Sequence, residues 1–215
     1  MLPRPAGGPP GGPGDGPQLA ITEGPGGGCW LSYNGPMATS VSLTIDDFER
    51  LPADVAENHE LVDGELIEVS GNTLRHNGLR DLLIALLLPI IKERKLGHIV
   101  AEQEYDFLGN AHGPDVSFFG PAKQSLVNLD KRVQRFVPDL AIEIASPNDT
   151  YDSLQLKKQR YLSAGVREVW LISPKTQEIL IFTKDGVSRL HASGVLTTDL
   201  LPGVAISVEE LFRSL

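Results

Sequence analysis

The chain reads as a mixed α/β fold, a central mixed β-sheet flanked by helices, and three observations predict it. Residues 74 to 95 form one long helical stretch, apolar on most sides, with Lys92, Arg94 and Lys95 suited to its C-terminal end. Strand-like runs follow at 98 to 107, 114 to 119 and 138 to 145. A second helix over about 150 to 164 stops at Gly165, after which residues 168 to 173 restart as a strand.

The elements follow in order from the N-terminus. Residues 1 to 36 hold 11 of the 22 glycines and 8 of the 16 prolines, too little apolar surface to offset the entropy of ordering, and predict a disordered tail. The segment Met37-Ala38-Thr39-Ser40 resembles a natural protein start, so the folded domain is expected over 37 to 215. Residues 43 to 51 read as a short helix with a threonine N-cap. In 60 to 69, Asp63-Gly64 between apolar runs signals a β-hairpin. A polar, basic loop spans 121 to 135. Strands at 178 to 183 and 187 to 191 and a terminal helix at 208 to 214 complete the order.

Composition narrows the setting. The single cysteine, Cys29, excludes an intrachain disulfide and a Cys-rich metal site, and fits a reducing cytoplasm. No basic segment followed by an apolar stretch marks a secretory signal. The longest apolar run, residues 82 to 91, falls short of the roughly 20 residues a bilayer needs, so no membrane role is expected. A net charge of -9 argues against indiscriminate nucleic-acid binding, although basic residues cluster at Lys131, Arg132 and Arg135 and at Lys157, Lys158 and Arg160.

Glu143 stands inside Leu140-Ala141-Ile142-Glu143-Ile144-Ala145, which otherwise reads as a buried strand. A buried unpaired charge costs several kcal/mol in order of magnitude, so Glu143 requires either a structural partner or a ligand. Alternation puts Asp139, Ala141, Glu143 and Ala145 on one strand face. Asp139 is then about 13 Å from Glu143, at roughly 3.3 Å per residue, too far to share one metal. Asp115, at the start of a neighbouring strand-like run, is the better partner, against its ordinary reading as a turn carboxylate after Gly-Pro. On the following helix, Leu154 and Tyr161 face the core while Lys157 and Lys158 flank that stripe on opposite sides, so either ammonium can reach inward or snorkel outward. Asp149, Thr150 and Asp152 suit helix capping. His76 is an accessory candidate near a helix start, Glu60 either a surface residue or one aimed at the site, and His112 a loop residue.

Glu60-Leu61-Val62-Asp63-Gly64-Glu65, His76, Pro114-Asp115-Val116, the run from Pro138 to Pro147, and the run from Lys157 to Trp170 occur in an order that resembles the Uma-type family of restriction endonucleases. The resemblance covers about 39 to 212. It implies the PD-(D/E)XK nuclease fold, a restriction-endonuclease-like core with an N-terminal hairpin. By it, Asp115 is the aspartate of the motif, Glu143 its acidic residue, and Lys157 a lysine migrated to the following helix, because residue 145 is Ala145. Glu60, His76, Asp139 and Lys158 are accessory. Mg²⁺ or Mn²⁺ would be held by Asp115, Glu143 and the Ile144 carbonyl, with DNA as substrate and a homodimer as the assembly the resemblance implies. The alternative is a binding or assembly module that keeps the nuclease fold without its chemistry.

Overall fold

The computed structural model describes residues 42–69 and 71–213, together with the backbone of two strands, β1 (Leu19–Glu23) and β2 (Cys29–Tyr33). These two pair antiparallel, and Cys29 pairs with Leu66, so the glycine- and proline-rich stretch contributes two strands. The remainder of that stretch lies outside the described residues. A capping box formed by Thr44 and Asp47 starts α1 (Ile45–Glu49), and α2 (Ala53–Ala56) follows. The hairpin is β3 (His59–Val62) and β4 (Glu65–Glu68), turning at Asp63 and Gly64 with φ of 51° and 84°. Two successive positive φ values are what a two-residue turn needs to match the strand twist. The long helix α3 (Leu74–Arg94) is capped by Thr73 and buries Leu79, Leu83, Leu87 and Ile91, one residue per turn.

The continuous strand expected over 98 to 107 is instead two, β5 (His98–Ala101) and β6 (Glu104–Phe107), separated at Glu102, whose φ is 52°. The returning chain is divided likewise into β7 (Asn110–His112) and β8 (Val116–Phe119), with Gly113-Pro114-Asp115 between them. Beyond them lie a 3₁₀ turn at Pro121–Leu126, β9 (Val133–Gln134) and β10 (Leu140–Ile144). Then come α4 (Tyr151–Ala164), β11 (Glu168–Ser173), β12 (Glu178–Thr183), β13 (Gly186–Leu190), β14 (Val195–Leu196), β15 (Ile206–Ser207) and α5 (Val208–Arg213).

The strands form a sheet ordered β13-β12-β11-β10-β8-β5 and a second ordered β1-β2-β4-β3-β7-β6-β9, with a small β14-β15 pair. Because β5–β8 pairing belongs to the first sheet and β6–β7 pairing to the second, the chain crosses between sheets twice, at Glu102 and at Asp115. The backbone bond from Glu102 N to Asp115 O, at 3.3 Å, ties the crossings together. The parallel pair β10–β11 is joined by α4, a crossover of the kind a parallel pairing requires.

Alternation on β10 sorts the core. Leu140, Ile142 and Ile144 pack with Leu79, Leu83, Leu87 and Ile91 of α3, while Ala141 belongs to the opposite layer with Tyr161 of α4, Tyr105, Phe107 and Phe136. A third cluster, with Phe48, Leu61 and Leu66, seats α1 on the hairpin. Among the described residues no helix is long and apolar enough to cross a membrane.

Candidate active site

The two chain crossings and the C-terminal end of β10 open onto one cleft of about 880 Å³, whose lining includes Glu60, His76, Asp115, Glu143, Ile144 and Lys157. Strand register brings the two acids together. Ile142 pairs with Val116, so the residues that follow on β10 and precede β8, Glu143 and Asp115, lie at the same end of this pair. Asp115 Oδ2 accepts from the Ile144 backbone N–H at 2.6 Å and contacts His76 Nε2 at 3.1 Å. Asp115 thus replaces, with its side chain, a ladder bond where β8 bends away.

Glu143 is 6% exposed, and its Oε1 accepts from the Tyr161 hydroxyl at 2.6 Å. Burial pushes its carboxyl up to about 8, with Asp115 and Glu60 adding to the rise and the Lys157 ammonium opposing it. Lys157 Nζ donates to Glu60 Oε1 at 2.9 Å. Its own burial works against the charged form, but Glu143, Glu60 and Asp115 outweigh that and hold it as an ammonium. Glu60, buried on β3, is pushed up by desolvation and pulled down further by Lys157 and His112, to about 2. His76 is raised above its usual value because the bond to Asp115 outweighs its burial.

Each acid has one oxygen engaged by the protein, Asp115 Oδ2 and Glu143 Oε1, and among the described residues the hydrogen bonds leave Oδ1 and Oε2 free. Among the described residues no group of three or more His, Cys, Asp or Glu side chains is arranged to hold a metal. A hard cation at this point would therefore rest on two carboxylate oxygens, a backbone carbonyl and water, a donor set that suits Mg²⁺, which keeps several waters.

The structure does not bring Asp139 or Lys158 to the cleft. Asp139 stands before the other end of β10, where it accepts from Gly120 N at 2.8 Å and pairs with Lys123 at 2.9 Å. Lys158 leaves α4 on the far side, donating to Gln155 and sitting 4.7 Å over the Phe182 ring. The rotation of about 100° between consecutive helical residues separates it from Lys157. His112 is corrected from a loop residue to a buried member of β7, with Nδ1 3.0 Å from Glu60 Oε2. The second residue that sequence reasoning missed is Tyr161, assigned to the core without its bond to Glu143; the signal available was its place four residues after Lys157, on the same helix face. The basic clusters are also not free: Lys131 pairs with Glu49, Arg132 with Glu104, Arg135 with Asp106 and Asp46, and Arg160 with Asp63.

Comparison with known proteins gives this mixed α/β core its class, a nuclease fold. Residues 45–213 match the family model described as Uma2, putative restriction endonuclease, and the chain belongs to that family. Among solved structures it resembles a putative nuclease of DUF820 from Anabaena variabilis ATCC 29413, with a TM-score of 0.71 and 19% identity, over 80% of this chain and 98% of that one. At that identity the likeness is one of fold. No curated protein matches the chain.

Proposed function

We propose that the cleft hydrolyses phosphodiester bonds of DNA with the help of Mg²⁺ or Mn²⁺. The observation that carries this reading is the convergence of Asp115, Glu143 and Lys157 from three different elements on one cleft. Asp115, Glu143 and the Ile144 carbonyl would hold the cation, and His76 fixes the orientation of Asp115 through Oδ2. When bound, the ion supplies charge neutralisation at the phosphate and lowers the pKa of water. Lys157, kept protonated by its carboxylate neighbours, faces the phosphate and stabilises the charge that builds on its oxygens. Helix α4 thereby performs what a lysine at position 145 would do in the unmigrated motif. The water oxygen adds to phosphorus as one P–O ester bond breaks, the departing sugar oxygen takes a proton from solvent to leave as an alcohol, and no covalent enzyme intermediate is needed.

A second reading, a nuclease-fold module that binds without cutting, is favoured by one observation: the basic residues around 131 to 135 are each paired with a carboxylate. Such pairing weakens the grip on a polyanion. One experiment separates the two. Mg²⁺ and Mn²⁺ are titrated into wild type and Glu143→Gln by calorimetry, with plasmid cleavage assayed on the same samples. Loss of both in the variant supports the nuclease; absence of both in wild type supports the binding module, and full activity in Glu143→Gln sinks the assignment.

A further inference from the structure

We propose that Glu60 and His112 are positioning residues that clamp the Lys157 ammonium in the cleft. This rests on the reading of that cleft as a phosphodiesterase site, and it assigns the N-terminal hairpin a part in it. Glu60 lies on β3 and His112 on β7, whose pairing places Leu61 opposite Ala111 and hence Glu60 opposite His112, on one face. The Glu60 carboxylate spans the two: Oε1 takes the Lys157 bond at 2.9 Å and Oε2 stands 3.0 Å from His112 Nδ1.

Lysine is a flexible point charge and holds no position unless something holds it. Lys157 leaves a helix edge with its side chain 24% exposed, a place from which an unheld ammonium turns to water. The hydrogen bond of Lys157 goes to Glu60, while Glu143 Oε1 is taken by Tyr161. Glu60 can supply the hold, because its charge is secured from both sides.

His112 has no other polar task. It is 1% exposed, packs beside Phe107 and Tyr161 at ring distances of 6.0 Å and 5.8 Å, and its Nε2 has no hydrogen-bond partner among the described residues. A phenyl ring would fill that space without leaving a buried nitrogen unpaired. Nδ1 stands 3.0 Å from Glu60 Oε2 without the alignment of a full hydrogen bond, and this contact braces the carboxylate on the side away from Lys157. A second bridge from the hairpin turn to α4, Arg160 to Asp63 at 2.6 Å, keeps the two elements in register.

The test measures the amine directly. Reductive methylation of the full chain is followed by mass spectrometry in wild type, Glu60→Gln and His112→Phe, with the exposed Lys175 and Lys184 as internal references. Methylation of Lys157 is expected to rise about tenfold in Glu60→Gln, the scale of a lost charge-assisted hydrogen bond, and less in His112→Phe. Unchanged Lys157 reactivity in both variants overturns the clamp. His112→Phe keeps the ring packing and decides the matter alone if Glu60→Gln does not fold.

Plasmid cleavage on the same samples separates the two readings. With cleavage present, the clamp predicts that kcat falls about tenfold or more in Glu60→Gln while KM stays within about threefold. A rise in methylation with no cleavage in wild type leaves the clamp standing and removes the nuclease reading.

Discussion

Tyr161 donates its phenol proton to Glu143 Oε1 at 2.6 Å, with both groups shut away from solvent. Burial, and then the surrounding carboxylates, push the phenol well above its usual range, so it stays a donor at every working pH. Since Tyr161 follows Lys157 by four residues, one face of α4 addresses both buried acids, Glu143 and Glu60. Tyr161→Phe removes the donor and leaves Glu143 short of a partner, a loss of about 1–3 kcal/mol in urea unfolding. Tyr105→Phe is the control, because its hydroxyl meets only the neutral Ser117 Oγ at 2.8 Å; its cost is about 0.5–1.5 kcal/mol.

Lys157→Met strands Glu60 beside Glu143 in a buried site. Removing one partner of a buried ion pair costs about 3–5 kcal/mol. The double variant Lys157→Met/Glu60→Gln removes the stranded charge and is expected to recover a good part of that loss. A double-mutant cycle in urea measures the coupling, which additive single losses would refute.

The two acids of the cleft give opposite pH dependences. Glu60 sits at about 2 in the fold against 4.5 ordinarily, so its stabilisation is complete above about 4.5 and is lost as pH falls through 2. Glu143 is raised to about 8, so what it contributes is present below about 4.5 and is lost as pH rises through 8. Urea midpoints across this range, without divalent cations, are expected to fall at both ends. Glu60→Gln flattens the acid limb and Glu143→Gln the alkaline one.

Gly97 carries a φ of 144°, and a Cβ there would stand 2.1 Å from the Phe119 carbonyl oxygen. Backbone cannot yield as a side chain can, so Gly97→Ala is expected to destabilise by more than 2 kcal/mol, roughly, through strain at the α3–β5 connection. Gly64→Ala, at a φ of 84°, is strained too, but its closest neighbour is the Ser42 hydroxyl, which can rotate away, with Ser42 Cβ next at 2.9 Å. Thermal unfolding should rank Gly97→Ala below Gly64→Ala.

Much of the fold is legible because its signals are local. The hairpin declares itself through Asp63-Gly64, α4 through the Thr150 cap and Gly165, and β11 and β12 through apolar runs whose observed bounds coincide with those expected. The break at Glu102 is not legible, since residues on both sides are equally strand-like. It exists because β5 finds its partner in one sheet and β6 in the other.

The candidate site divides the same way. Alternation along β10 already separates Glu143 from the Leu140, Ile142 and Ile144 face, and helical spacing already marks Lys157 and Lys158 as two edges of one stripe. Which edge faces the cleft, whether His112 is in a loop or a strand, and whether Glu60 points inward are decided by packing. Glu60 and Lys157 are 97 residues apart, and no property of either run of sequence contains the other.

From sequence alone, then, come the order of elements, the family, and a buried acid that demands a partner. The tertiary structure chose the partners: Tyr161 and Asp115 beside Glu143, Glu60 on Lys157, and Asp139 and Lys158 turned to structural contacts elsewhere. The reason is physical. Periodicity and capping act within a turn or a strand, whereas the pairing of buried charges is settled only when sheets and helices close around them.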